Sequence, residues 1–158
     1  MNLKYSPLLM LMIGFVTLVT SCNFDKAYER SVDIQNSKWD KTQAVKFDVT
    51  IKDTTSGFDI FINVRNTNDY RYKNLFLFVS TMSPNGFTKR DTVELTLADD
   101  KGKWLGLGIG GINKIEKTYK KNIRFPVSGN YRIQLVQGMR NDVLEGIMDV
   151  GIRVEKVK

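Results

Sequence analysis

Few side chains in this sequence are suited to chemistry, and their scarcity narrows what the protein can do. It has one thiol, Cys22, and no histidine, so the commonest general base and a principal transition-metal ligand are both missing. With a single cysteine there is no zinc–thiolate cluster to assemble. Carboxylate chemistry remains. Asp91 and Glu94 lie three apart in a run that reads as a strand, and a period of two sends them to opposite faces, which is poor geometry for an acid/base pair. Asp99-Asp100 stands before Lys101-Gly102, where a polar turn suffices; the spaced oxygen ligands of a calcium loop are lacking. Gly106 to Gly111 fits G-x-G-x-x-G as a string. No strand–helix–strand unit surrounds it, and no acidic residue about 20 positions on could hold a ribose, so its glycines are expected to serve a bend or a close backbone approach. From this inventory we expect no catalytic residues, no metal and no cofactor.

The thiol has another use. An uncharged run from Tyr5 to Cys22 follows a lone Lys4; it falls short of the about 20 apolar residues of a transmembrane helix and reads as a secretory signal. Its last four residues, Val19-Thr20-Ser21-Cys22, follow the aliphatic, small, small, cysteine order of a bacterial lipobox. In such a motif the cysteine sulfur receives a diacylglyceryl group, the peptide is cut before it, and the new amino terminus is acylated. A lone cysteine in an exported chain also has no disulfide partner. The expected organisation is a signal peptide at 1–21, a lipidated tether and entry segment at 22–37 that enters structure near Val32 and Trp39, and one β-sandwich domain at 38–158. Cleavage leaves 137 of the 158 residues, enough for one compact domain. Lys4 is lost from the 24 basic residues, leaving 23 against 17 acidic. The basic charges are scattered along the sequence rather than clustered in it, so nucleic acid is not an expected partner, whereas an anionic surface is.

The mature chain alternates with a period of two. In VKFDVTIK the residues Val45, Phe47, Val49 and Ile51 share one face, and in FDIFINVR so do Phe58, Ile60, Ile62 and Val64. The intervening DTTSG supplies turn residues, and a hairpin is expected there. NLFLFVS is apolar on both faces, and DTVELTLA alternates through Val93, Leu95 and Leu97 after Pro84-Asn85-Gly86. NIRFPV, NYRIQLV and IMDVGIRVE follow, the last with Met148, Val150, Ile152 and Val154 on one side. INKIEKTYKK places Ile112, Ile115 and Tyr119 at near-helical spacing and reads as a short helix. About seven to nine short strands with regular turn signals predict an all-β antiparallel sandwich, Ig-like or jelly-roll-like.

Candidate contact residues follow from these elements. Tyr70 and Tyr72 fall in a polar, aromatic connection from Arg65 that reads either as a recognition loop or as a turn fixed by its Asn and Asp residues. Trp104 either covers one end of the sandwich or anchors a partner or glycan. If Met148 to Val154 face the core, Asp149, Gly151, Arg153 and Glu155 form an outer row; Arg153, together with Arg140, is suited to clamp a carboxylate on a partner. A lipid-anchored glycan-binding module is the competing use of such a domain.

The lipobox, Trp39, INVRNTNDYRYKNLFLF, SPNGFTKRDTVELTLADDKGKWLGLGIGG, RFPVSGNY and above all QGMRNDVLEGIMDVGIRVEK together resemble the gliding-motility lipoprotein family GldH of the Bacteroidota. The resemblance spans nearly all of the mature chain. It implies a non-enzymatic, envelope-anchored component needed for gliding, acting with other gliding-motility proteins and the machinery associated with type IX secretion. It favours the outer membrane over the inner one, and leaves open a more general role in envelope assembly.

Overall fold

The structure, a computed structural model, describes residues 26–157; the segment expected to be a signal peptide and the expected lipid-bearing Cys22 lie outside them. Eleven strands follow in order: β1 Lys26–Asp33, β2 Lys38–Asp40, β3 Val45–Ile51, β4 Phe58–Thr67, β5 Asn74–Met82, β6 Thr88–Thr96, β7 Leu107–Ile109, β8 Ile112–Ile123, β9 Gly129–Gln137, β10 Val143–Glu145 and β11 Ile147–Lys156. A sheet in the order β1-β11-β4-β8-β7 faces a second in the order β3-β9-β5-β6, and β10 pairs with β2 as a small ribbon. All pairings are antiparallel. The all-β sandwich read from the alternation is the fold, with more strands than the seven to nine expected.

Alternation does the packing. Val45, Phe47, Val49 and Ile51 of β3 are buried while Lys46, Asp48 and Thr50 are exposed. Phe47, Leu77, Ile133 and Leu135 of one sheet meet Ile62, Val64, Val150 and Ile152 of the other in a single core. In β5, Leu75, Leu77 and Val79 point inward and are buried, and Phe76 and Phe78 on the outer face are half-buried. Arg90 lies over the Phe78 ring at 4.4 Å, and the Phe76 amide donates to Met139 Sδ.

Several expectations are corrected. Ile112–Ile123 is a strand, not a helix: the offset of four between Ile115 and Tyr119 fits both periods, and β4 needs a second neighbour, which β8 supplies along its length. The segment DTTSG does not close a hairpin. Strands β3 and β4 lie in opposite sheets, so the loop carries the chain across the core and lets Ile51 and Phe58 both face inward. Within the segment 22–37, read as tether and entry segment, regular structure begins at Lys26 and not near Val32, because β1 pairs with β11 from there onward. At the start of β11 an irregularity between Ile147 and Asp149 shifts the phase, so Ile147 takes the core position expected of Met148, which is half-buried.

Antiparallel order sorts the loops to two ends. Lys26 lies beside Glu155, Lys156 beside Phe58, and Phe58 beside Ile123. That proximal end carries the turns at 52–57, 83–87 and 124–128. The distal end gathers the Asn66–Ile147 and Thr67–Ile112 pairs with the loops at 68–73, 97–106 and 138–142. The ten residues of β4 separate the two ends by about 30 Å.

Candidate functional site

The sequence candidates divide between the outer face of the larger sheet and its distal end. On the outer face, Asp149 is 2 % exposed and accepts from Arg65 Nε. Desolvation raises the pKa of its carboxyl, with Arg65 opposing that shift. The Arg153 guanidinium contacts Glu116 on β8 and Glu155 on its own strand, and stacks over Phe61 at 4.0 Å. Both candidates are thus bound within the sheet. Neither presents a free charge to a partner, because the row that period two places outside is roofed by side chains from β4 and β8. Gly151 lies in the same row, where a Cβ would come within 2.4 Å of Ser31 Oγ, so its close neighbour is β1.

Tyr70 is also a core residue. It is 3 % exposed, meets Tyr72 edge-on with ring centroids 5.6 Å apart, and donates its hydroxyl to the Asn74 carbonyl at 2.8 Å; burial pushes its phenol pKa up. The connection it belongs to is a folded turn: Asn66 is buried, and Asn68 Oδ1 accepts from Trp104 Nε1 at 3.0 Å and Asn113 at 3.3 Å.

The remaining candidates sit on the distal surface. Tyr72 is half-buried and donates to Asn141 Oδ1 at 2.8 Å. Trp104, also half-buried, lines the same depression as Tyr72, Arg71, Asp99 and Asp100. Arg140 is exposed and, among the described residues, has no acidic side chain within ion-pair distance. The Asp99-Asp100 pair is explained by local bonding: Asp99 Oδ1 accepts from the Lys101 and Lys103 amides at 2.9 Å each, and Asp100 pairs with Lys73 at 2.8 Å. Asp91 and Glu94 do not assemble as a pair, since Asp91 is held by Tyr119 at 2.6 Å and Lys120 at 2.8 Å.

The most exposed apolar group at this end went unread in the sequence. Leu107 and Ile109 on β7 are 91 % and 90 % exposed, with Leu105 close by at 54 %. The G-x-G-x-x-G string makes this possible. Gly110 and Gly111 have φ of 63° and 82°, the left-handed pair that a two-residue hairpin turn requires. At Gly106 a Cβ would lie 2.5 Å from the Lys114 carbonyl oxygen, and at Gly108 one would lie 2.7 Å from Asn113 Oδ1, so glycine lets β7 lie flat on β8 while its aliphatic residues turn to solvent. The readable signal was glycine at every second position with aliphatics between, a strand with nothing to bury its side chains against.

The GldH lipoprotein family model matches residues 26–154, the described sandwich almost end to end. A gliding motility lipoprotein GldH homolog of Christiangramia forsetii is 40 % identical over 148 residues, covering 89 % of this chain and 90 % of its own. Gliding motility lipoprotein GldH of Flavobacterium johnsoniae is 34 % identical over 163 residues, covering 99 % of each. Among solved structures, a chain of infectious bursal disease virus Gt strain aligns over 83 % of this chain and 30 % of its own length, at 15 % identity and a TM-score of 0.34, a likeness too slight to bear on fold or function. With the match running from β1 into β11, and two relatives alike over nearly their whole lengths, this chain belongs to the GldH lipoprotein family.

Proposed function

We propose that the protein is a lipid-anchored, non-catalytic assembly component of the gliding apparatus, and that it works by presenting its distal end to another envelope protein. Cys22 carries the diacylglyceryl group and, after cleavage, the N-acyl chain; more than one chain makes anchoring stable. The outer membrane is the one favoured by the role in surface movement named for its relatives.

Strand β7 carries the reading. It ends the sheet order, so one edge of its backbone is open to strand addition, and Leu107 and Ile109 stand ready to fill pockets on an added partner. Lys101, Lys103 and Lys114 beside it are exposed, which suits a partner edge rich in carboxylates. The test is a Leu107→Glu, Ile109→Glu double variant expressed in place of the native protein in a gliding host. Spreading should be lost while the melting temperature and the amount in the membrane fraction stay unchanged; normal spreading would overturn the reading. One observation favours a second use of the same end, glycan binding: the rings of Tyr72 and Trp104 line one polar depression, and rings there could stack on a sugar face. Under that use, Trp104→Ala and Tyr72→Ala stop spreading and the β7 variant does not.

A further inference from the structure

We infer that the proximal end of the sandwich is a membrane-docking face, which seats on anionic headgroups of the leaflet holding the Cys22 lipid; the inference rests on the anchoring proposed above. Four peptide steps join Cys22 to Lys26, the first residue of β1. Fully extended they reach about 14 Å, less than half the distance between the two ends. The acylated cysteine therefore holds the proximal end against the bilayer and keeps the distal hairpin away from it.

That end has the chemistry of an interfacial surface, apolar tips ringed by cations. Phe87 is 69 % exposed at the β5–β6 turn, and Val127 is 37 % exposed at the β8–β9 loop. Between them lies a groove of about 390 Å³ walled by Ile123, Phe125, Pro126 and Tyr131. Both loops are held in place. Asn85 Oδ1 accepts from the Phe87 amide at 3.2 Å, Tyr131 donates to the Val127 carbonyl at 2.8 Å, and Phe125 stacks edge-on against Phe58 and Tyr131 with centroids at 5.4 and 4.7 Å. The loops thus project their tips without a cost of ordering on contact.

The charge is predominantly basic. Lys52, Lys89, Lys121 and Arg124 are exposed here and, among the described residues, have no acidic partner within ion-pair distance. Of the neighbouring carboxylates, Asp53 and Asp91 pair with Lys156 and Lys120, each at 2.8 Å, and Asp59 accepts from the Asn122 amide at 2.7 Å, which leaves four cations against one unpaired carboxylate. Cations close to an anionic leaflet are attracted to it, and these lie where phosphate groups would meet them if Phe87 and Val127 entered the interface.

The test uses the full lipidated protein in vesicles of phosphatidylethanolamine with phosphatidylglycerol. With the Cys22 sulfur acylated, a cysteine introduced by Val127→Cys or Leu107→Cys is the sole free thiol and takes a single fluorophore. The label at 127 should be quenched by a lipid-borne nitroxide, be shielded from iodide and lie about 5 to 10 Å into the headgroup boundary; the label at 107 should behave in the opposite way. Lys89→Glu with Arg124→Glu should weaken lipid-borne quenching at 127. Equal iodide access at 127 and 107 on protein that still floats with the vesicles overturns docking, as does a charge reversal without effect. Protein that fails to float overturns the anchor, and docking with it.

Discussion

Arg153 and Arg140 are the same residue type with opposite standing. Arg153 is 14 % exposed at its side chain, between Glu116 and Glu155 and above Phe61; Arg140 reaches solvent. Reversing Arg153 to Glu puts a third carboxylate beside two others and removes a partly buried pair, so it should cost about 3 to 5 kcal/mol. Arg140→Glu should stay within about 0.5 kcal/mol of wild type. Thermal melts of the two variants check this, and similar midpoints would mean that Arg153 is not held as described. Period two places Arg153 on the outer row of its strand. It says nothing of Phe61 and Glu116, which come from strands more than 30 positions away in sequence, so burial of that row was not legible. Tyr70 is the converse case: a turn-rich neighbourhood suggested a surface, and the fold tucks the ring under its own loop.

At the scale of elements, legibility follows from whether one face of a strand is dry. Strand β3 alternates cleanly because it has a single buried face, and Phe47, Ile62, Leu77 and Leu135, all 0 % exposed, were readable as core from the apolar side of their strands. Replacing any one by Ala should cost about 2 to 5 kcal/mol, measured by denaturant or thermal unfolding; two unchanged midpoints would contradict the packing. Strand β8 was misread because its outer residues are charged and its apolar spacing of four fits either period. The pairing of strands across sheets was not legible either, since a short turn-rich loop serves a hairpin or a crossover equally well. Side-chain bridges join β6, an edge of one sheet, to the part of β8 that runs beyond β7 in the other. Asp91 accepts from Lys120 and Tyr119, and these bonds hold its carboxyl below the usual aspartate range. A folded-state pKa below the unfolded one means that the stabilisation is complete above about pH 4 and is lost as pH falls through the folded value. The wild-type melting temperature should therefore drop in acid by more than that of Asp91→Asn, and parallel pH profiles would show that the bridge contributes nothing.

At the scale of the molecule the two ends have different tasks, and only their residues, not their grouping, can be read from sequence. Tyr72, Trp104 and Arg140 lie tens of positions apart, and antiparallel topology brings them to the end that also carries Leu107 and Ile109, opposite the start of β1. Cys22→Ala should leave the domain folded and release it from membranes, checked by fractionation and a fatty-acid analogue label; an unlabelled wild-type protein would remove the anchor. A longer tether separates anchoring from docking. Inserting about 20 Gly/Ser residues after Cys22 gives a coil with an end-to-end distance of about 25 Å, enough for the proximal end to leave the bilayer if only the short chain holds it there. If Phe87, Val127 and the unpaired cations bind the surface themselves, a label at 127 on the lengthened protein stays in contact with phosphatidylglycerol vesicles and loses contact on neutral phosphatidylcholine. Loss on both would assign the orientation to tether length alone. The lipid would then fix where the protein sits, and the distal hairpin would face outward only because four peptide steps leave it no other choice.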